Sequence, residues 1–363
     1  MIRNSNDLKA ALRTTLPFLL AGLTLFGLGL IPVRELAAQS PAIAQETTST
    51  RSEAVTGEAV PLWNCVDEES LNNPACQSDA SWQPQPGDEI WLINTRGLNN
   101  CISDCTLAPQ LPVSRWRAGE FEPASLPELL EHVTRTPEVR NVTYIHGNFT
   151  DYGWSIRRGM EVYSHCFGGD CNRPPVRFII WSWRSERETL LGRDYQIKSQ
   201  RAVAEGCRLH SLVSQLGPRP PIVIGYSLGA QATLSALSQP VSADQQAWEV
   251  TLIAAALDPH FCTTLRNNQQ IANRLDRLVL FTNQADPALN CSLRITRRTI
   301  ANPNPPSQYS IVPNLRGGRG TVEQFEVSRE VGHHHSISRY LESPTVSCHL
   351  RNLLTDPAAV AER

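Results

Sequence analysis

The sequence predicts an α/β fold: a mostly parallel sheet with helices on both faces, preceded by a cysteine-rich N-terminal extension. Three observations predict it. Strand-like and helix-like segments alternate from Glu89 to the end of the chain. The strand-like segments are continuously apolar, which is typical of parallel strands that are covered on both faces. Residues able to carry chemistry follow directly after several strands, at the edge where an open parallel sheet binds its ligands.

Short apolar runs bounded by glycine, proline or polar residues predict the strands. They are residues 89–94, 141–145, 176–181, 220–224, 250–256 and 277–281, and a last strand is expected at 323–327. Helical periodicity is found at about 154–164, at 188–216 and at 228–237. The segment 188–216 places Ile197, Val203 and Leu209 at spacings compatible with one face. A further helix-compatible segment runs from the late histidines toward Leu354.

The N-terminus has the composition of an export signal. Three basic residues precede an apolar run of residues 16–33, and the small residues of Ala42-Ile-Ala44 follow. We therefore interpret residues 1–44 as a signal peptide or an uncleaved N-terminal anchor that would tether the chain to a membrane. Either interpretation predicts a chain that is secreted, periplasmic or membrane-anchored outside the cytoplasm. Residues 45–86 are interpreted as a linker and disulfide-pinned loop segment, and residues 87–363 as the main domain.

The cysteines agree with export. All ten lie beyond the leader, and an even number of cysteines in an exported chain predicts disulfide bonds. Short loops favour the pairs Cys65–Cys76, Cys101–Cys105 and Cys166–Cys171, although spacing alone does not determine connectivity. A zinc site is the alternative, but the chain contains no CxxC pair.

Composition and charge exclude some classes of partner. The 363 residues are 41% hydrophobic and 19% charged, which is an ordinary globular balance. The formal net charge of -2 does not favour nucleic-acid binding, which calls for a basic domain. It also provides no long-range attraction to anionic membranes.

The segment Gly225-Tyr-Ser-Leu-Gly229 is a GxSxG motif between a predicted strand and a predicted helix. In that context a sharp turn pushes the serine hydroxyl out over the end of the sheet. Side chains two positions before and two after the serine would collide, which accounts for Gly225, Gly229 and the following Ala230. The motif predicts Ser227 as a nucleophile. A glycine-rich turn with a serine helix cap is the alternative.

A second turn, His146-Gly-Asn-Phe149, follows the predicted strand 141–145. Such a turn places a backbone N–H opposite the serine, where it can stabilise a developing oxyanion. We predict the backbone amides of Leu228 and Asn148 as the oxyanion-hole donors. His146 is interpreted as a structural turn residue and not as a base.

A serine hydroxyl needs a base, and the base needs an acid that orients it. In a strand–serine–helix site the expected chain order is serine, acid, histidine. Asp286 follows the predicted strand 277–281 and is the predicted acid. Asp258, which closes the preceding strand, is the alternative.

Three consecutive histidines, His333, His334 and His335, follow the last predicted strand. They cannot all face one point, so at most one is the base. We predict His335, which is closest to the helix start, with His333 as the second choice. A metal-binding histidine tract and plain loop residues are the alternatives. No carboxylate or cysteine stands beside the tract at ligand spacing, so neither a metal nor an organic cofactor is predicted.

Several segments together resemble one large family. They are Tyr144-Ile-His-Gly147, Ile180-Trp-Ser-Trp183, the helix near Arg193-Asp194, the GxSxG segment, Asn283-Gln-Ala-Asp-Pro-Ala-Leu289 and the late Gly-His segment. From His146 to its C-terminus the chain resembles the α/β-hydrolase superfamily, and within it a group of poorly characterised bacterial hydrolases. The resemblance implies the α/β-hydrolase fold, with Ser227, Asp286 and His335 as nucleophile, acid and base. The triple histidine departs from the single one expected.

The resulting hypothesis is an exported serine hydrolase that cleaves a carboxylic ester, or an amide, of a small molecule or lipid. Two alternatives come from other classes of protein. One is a catalytically inactive binding module of the cell envelope that keeps the hydrolase fold. The other is a metal-binding envelope protein that uses the histidine tract.

Overall fold

The computed structural model describes eight parts of the chain. They are residues 84–98, 111–168, 173–189, 191–240, 246–257, 271, 273–289 and 320–354. The leader 1–44, nearly all of the segment 45–86, Asp258 and the pairs Cys65–Cys76 and Cys101–Cys105 lie outside the described residues. All the described residues fall within one unit of the chain, Val60–Arg363.

A nine-stranded sheet occupies the centre of the described structure. Its strands are β1 (Glu89–Asn94), β2 (Val113–Arg117), β3 (Glu120–Ala124), β4 (Arg140–Ile145), β5 (Val176–Ser182), β6 (Ile222–Tyr226), β7 (Trp248–Ile253), β8 (Leu275–Thr282) and β9 (Thr321–Glu326). Their order is β3-β2-β1-β5-β4-β6-β7-β8-β9. All neighbours from β1 to β9 pair in parallel, and only β2 and β3 are antiparallel to their neighbours. The predicted α/β architecture with a mostly parallel sheet is confirmed.

Helices follow most of the strands. They are α1 (Leu126–Arg135), α2 (Tyr152–Phe167), α3 (Leu191–Val213), α4 (Leu228–Leu237), α5 (Ser328–Val331), α6 (Ile337–Leu341) and α7 (Pro344–Arg351). Within the described ranges, no helix combines the length and apolar composition that crossing a bilayer requires.

Two adjacent residues of β5 show which faces of the sheet the helices cover. Ile180 packs against α2, where a Cβ added to Gly159 would lie 2.5 Å from the Ile180 side chain. The indole of Trp181 donates a 3.0 Å hydrogen bond to Glu205 of α3. Because successive strand residues point to opposite faces, α2 and α3 cover opposite faces of the sheet. The strands between them are buried on both sides, which explains their continuously apolar sequences.

The hairpin β2–β3 and helix α1 are not among the predicted elements. The two strands alternate charged and apolar residues and are partly exposed, so they lack the continuous apolar runs of the central strands. Ala118 and Gly119 connect them with φ angles of 49° and 101°. This turn matches the twist of a hairpin, but alanine is an uncommon residue there. Helix α1 does have a sequence signal: Ser125 caps it by accepting from the Glu128 N–H.

The short-loop pair Cys166–Cys171 is wrong. Cys166 is a free thiol in the last turn of α2, where its side chain is buried in the core. Burial raises the pKa of this thiol far above its ordinary value. Cys207 and Cys348 are disulfide-bonded. Sequence spacing did not distinguish the free cysteine from the disulfide-bonded ones, because the direction of a cysteine side chain depends on how its helix packs.

Candidate active site

Ser227 lies in the turn between β6 and α4, and its backbone is strained. Its φ of 53° and ψ of -118° fall in a region that residues with a side chain rarely adopt. The Ser227 N–H donates to the Ile253 carbonyl at 3.0 Å, and its carbonyl accepts from Ala256 at 3.1 Å. These bonds to the end of β7 and the residues beyond it hold the strained turn in place. The side chain is only 3% exposed.

The two glycines of the motif are required by crowding. A Cβ on Gly225 would lie 2.7 Å from the Thr233 hydroxyl and 2.9 Å from the Ala230 Cα. A Cβ on Gly229 would lie 2.3 Å from the Ile145 carbonyl oxygen. The collisions expected from the sequence are therefore present, and at Gly229 the clash is with backbone that cannot rotate away.

Gly229→Ala is expected to destabilise the fold by about 3 kcal/mol or more, because the added methyl must push α4 away from β4. Thermal unfolding of the purified chain measures the loss. Gly97→Ala is the matched control, since nothing lies within 4 Å of a Cβ built at Gly97. An unfolding temperature for Gly229→Ala equal to that of Gly97→Ala would contradict the crowding argument.

Ser227, His335 and Asp286 are hydrogen-bonded in series. The Ser227 Oγ is 2.9 Å from the His335 Nε2, and the His335 Nδ1 is 2.6 Å from the Asp286 Oδ2. An ionised carboxylate can only accept hydrogen bonds, so the Nδ1 carries the hydrogen. The Nε2 is then free to accept the serine proton. The three residues come from loops after β6, β8 and β9, which end at the same edge of the sheet.

The Asp286 carboxylate is fully buried and is held by four donors. Its Oδ1 accepts from the N–H groups of Ala288 at 2.9 Å and Leu289 at 3.3 Å. Its Oδ2 accepts from His335 and from the Tyr340 hydroxyl at 3.1 Å. Burial and the neighbouring Asp286 charge raise the pKa of Tyr340 above its ordinary value, which keeps the phenol a donor. The carboxylate is thereby fixed toward the imidazole.

Two residues outside the series hold the histidine loop. The Tyr226 hydroxyl donates to the His335 carbonyl, and the two rings lie 5.5 Å apart. The Asn283 side-chain amide donates to the Gly332 carbonyl at 2.8 Å. Sequence reasoning missed both residues. Asn283 had a usable signal, because it directly follows β8. Tyr226 occupies a position of the GxSxG motif that accepts any residue.

The other two histidines point elsewhere. The His333 Nδ1 bonds to the Ala285 carbonyl at 3.0 Å, and both His333 and His334 are exposed. The structure brings His335 to Ser227 and leaves the other two outside the hydrogen-bonded series. Among the described residues, no group of three His, Cys, Asp or Glu side chains is placed to share a metal ion.

The two amides predicted as oxyanion donors flank the serine. Leu228 begins α4, and its N–H makes no hydrogen bond within the described part of the chain. The N–H of Asn148 likewise has no acceptor among the described residues. Asn148 belongs to a turn that passes directly over Ser227, since a Cβ on Gly147 would lie 2.7 Å from the Ser227 Cβ. Helix α4 also directs its N-terminal dipole toward this space.

The turn that contains Asn148 is anchored by residues that sequence reasoning missed. The Ser185 hydroxyl donates to the Gly147 carbonyl at 2.9 Å, and the Ser185 carbonyl accepts from Phe149 at 2.8 Å. The Arg96 guanidinium donates to the Thr150 carbonyl at 3.0 Å. Both anchors lie just beyond the ends of strands, Arg96 after β1 and Ser185 after β5, which is the signal that could have found them.

His146 supports the same turn. Its Nδ1 lies 2.9 Å from the Gly147 carbonyl, and its Nε2 accepts from the Trp183 N–H at 3.2 Å. Burial, together with the smaller effect of the nearby Arg96 charge, lowers the pKa of His146 to about 3. The ring is therefore neutral at ordinary pH and uses both nitrogens in structural bonds, in agreement with the sequence interpretation.

A cavity of about 240 Å³ is lined by chain neighbours of Ser227 and His335. Its lining includes Tyr226, which precedes Ser227, Asn148 of the neighbouring turn, and Ser336 and Ile337, which follow His335. Two of the residues that line it are large, exposed aromatics, Phe149 (51% exposed) and Trp154 (42%).

The chain matches no protein-family model, and no curated protein matches its sequence significantly. The structure itself defines an α/β fold with a mostly parallel sheet. At the carboxyl edge of that sheet a serine, a histidine and an aspartate are hydrogen-bonded in series beside a cavity.

Proposed function

We propose that the protein is a serine hydrolase of the α/β-hydrolase fold that cleaves carboxylic esters. The observation that carries this proposal is the series Ser227 Oγ–His335 Nε2 and His335 Nδ1–Asp286 Oδ2, at 2.9 Å and 2.6 Å. Such a series activates a serine hydroxyl, which is otherwise a weak nucleophile at neutral pH. The strained backbone of Ser227, held by hydrogen bonds to neighbouring loops, supports a functional role for this turn.

In the proposed reaction the Ser227 Oγ attacks the acyl carbon while the His335 Nε2 takes its proton. Asp286 holds the imidazole in the required tautomer and stabilises the imidazolium that forms. The carbonyl oxygen becomes an oxyanion, which the N–H groups of Leu228 and Asn148 stabilise. One such donor contributes about 3 kcal/mol to transition-state stabilisation. His335 then protonates the leaving alcohol, and water, deprotonated by the same imidazole, hydrolyses the acyl-enzyme.

The order of the site residues along the chain supports the α/β-hydrolase assignment. In that fold the nucleophile, the acid and the histidine follow one another in the sequence on loops at the carboxyl edge of the sheet. Here they follow β6, β8 and β9, and the second oxyanion donor comes from the loop after the adjacent strand β4. The GxSxG turn joins a strand to a helix, as the nucleophile turn of that fold does.

We also propose that the enzyme works outside the cytoplasm, on a small-molecule or lipid ester. The basic and apolar leader of residues 1–44 supports export. The disulfide bonds of Cys207 and Cys348 fit an oxidising compartment. No nucleic-acid partner is proposed, because the net charge of -2 provides no basic surface field.

A fluorophosphonate probe tests the proposal. We expect the native chain to be labelled at a single serine, and mass spectrometry of the digested protein to locate the adduct on Ser227. Ser227→Ala is expected to remain folded and to lose the label. A native chain that resists labelling would favour the alternative of a catalytically inactive binding module.

A further inference from the structure

We propose that the cavity beside Ser227 binds hydroxyl groups on the alcohol portion of the ester, so that the preferred substrates are esters of polyhydroxylated alcohols. This inference rests on the proposed function and specifies its substrate class. It is carried by two buried polar groups that line the cavity, and neither of them has a partner in the described part of the chain.

The first group is the Tyr144 hydroxyl. Tyr144 lies on β4 and is completely buried, and its side chain lines the cavity. Its hydroxyl has no hydrogen-bond partner among the described residues. A buried hydroxyl without a partner is costly, so one in the wall of a cavity gains a bond when a ligand hydroxyl reaches it. Burial raises the pKa of this phenol well above its ordinary value, so it remains a neutral donor.

The second group is the side-chain carbonyl oxygen of Asn148. This Oδ1 is buried and also has no partner among the described residues, and Asn148 lines the same cavity. The cavity therefore offers a donor from Tyr144 and an acceptor from Asn148. A hydroxyl group can accept from the first and donate to the second. A carboxylate cannot donate to Asn148, and an alkyl chain would leave both groups unpaired.

The charges around the cavity also favour a neutral ligand. Arg158 of α2 is a cation on its lining. Its guanidinium forms an ion pair with Glu161 at 2.6 Å and also donates to the Ser338 hydroxyl. Because Glu161 already neutralises it, Arg158 provides little uncompensated charge for an anionic group.

The position of the cavity assigns it to the alcohol side of the ester. Ser336 and Ile337, which directly follow His335, form one of its walls. The imidazole must deliver its proton to the leaving oxygen, so the alcohol has to lie on the histidine side of the nucleophile. A volume of about 240 Å³ suits a small polyol rather than a long chain.

The test compares two esters with the same acyl group, glycerol 1-butyrate and n-propyl butyrate, which differ only in two hydroxyls on a three-carbon alcohol. We expect the native chain to favour the glycerol ester in kcat/KM by roughly tenfold or more, because a site built for a hydroxyl rejects the analogue that lacks it. Tyr144→Phe should lower this ratio by roughly threefold to tenfold. The ratio cancels any general effect of the substitution on the nucleophile.

Thr143→Val is the matched control. Thr143 is the preceding residue of β4, faces the opposite side of the sheet and also carries a buried hydroxyl without a partner among the described residues. It does not line the cavity, so the ratio should stay at the native value. A ratio that falls equally in both variants would overturn the inference.

Two further results would overturn the inference. One is a native ratio near one. The other is faster turnover of the butyrate ester of 3-hydroxypropanoate, which places a carboxylate on the same three-carbon alcohol. If the probe labels Ser227 but neither neutral ester is cleaved, the substrate class is wrong and the hydrolase assignment stands. If the probe does not label the chain either, both proposals fail.

Discussion

His335→Ala is expected to lower the kcat of ester hydrolysis by roughly 10⁶-fold, about as much as loss of the nucleophile itself. Its Nε2 is the proposed base and lies 2.9 Å from the Ser227 Oγ, and without it the serine proton has no acceptor within hydrogen-bond distance among the described side chains. The measurement is a steady-state rate on a butyrate ester, with circular dichroism to show that the variant is folded.

The neighbouring histidines provide the control. His333→Ala and His334→Ala remove the same side chain from adjacent, exposed positions, and we expect both to keep nearly native rates. His333 contributes only a bond to the Ala285 carbonyl. If either variant loses as much activity as His335→Ala, the assignment of the base is wrong.

Asp286→Asn should lower kcat by roughly 10⁴-fold while leaving the fold intact. The substituted amide can donate a hydrogen to the His335 Nδ1, which would place the remaining imidazole hydrogen on the Nε2. The imidazole would then present a hydrogen, and no lone pair, to the Ser227 Oγ. Because the defect is one of tautomer, it should affect kcat far more than the KM of the ester.

Asp276→Asn makes the same chemical change at an exposed position of β8, and it should leave kcat unaffected. Tyr340→Phe removes one of the four donors to the Asp286 carboxylate and should have a much smaller effect than Asp286→Asn. A native rate in Asp286→Asn would show that another group orients the imidazole and would return Asp258 to consideration.

Parts of the fold were predictable because local sequence determines them. Strands β4 to β8 contain apolar runs between breakers, and the predicted positions of β4 to β9 lie within a few residues of the observed ones. The hairpin β2–β3 was not predictable in the same way. Its strands are half exposed, and its turn depends on a positive φ at Ala118, which the sheet imposes and the residue type does not signal.

The sequence alone determined the strained serine turn, since Gly225 and Gly229 leave room that no other residue would. It also placed Asp286 and the three histidines after the correct strands. The sequence favoured His335 by its position alone, and only the tertiary structure brings it to Ser227, because side-chain directions are set by contacts such as the Tyr226–His335 bond, 109 residues apart in the chain. The same holds for the unpaired hydroxyl of Tyr144. In the sequence it is one more apolar strand residue, and only packing buries its hydroxyl without a described partner in the wall of a cavity.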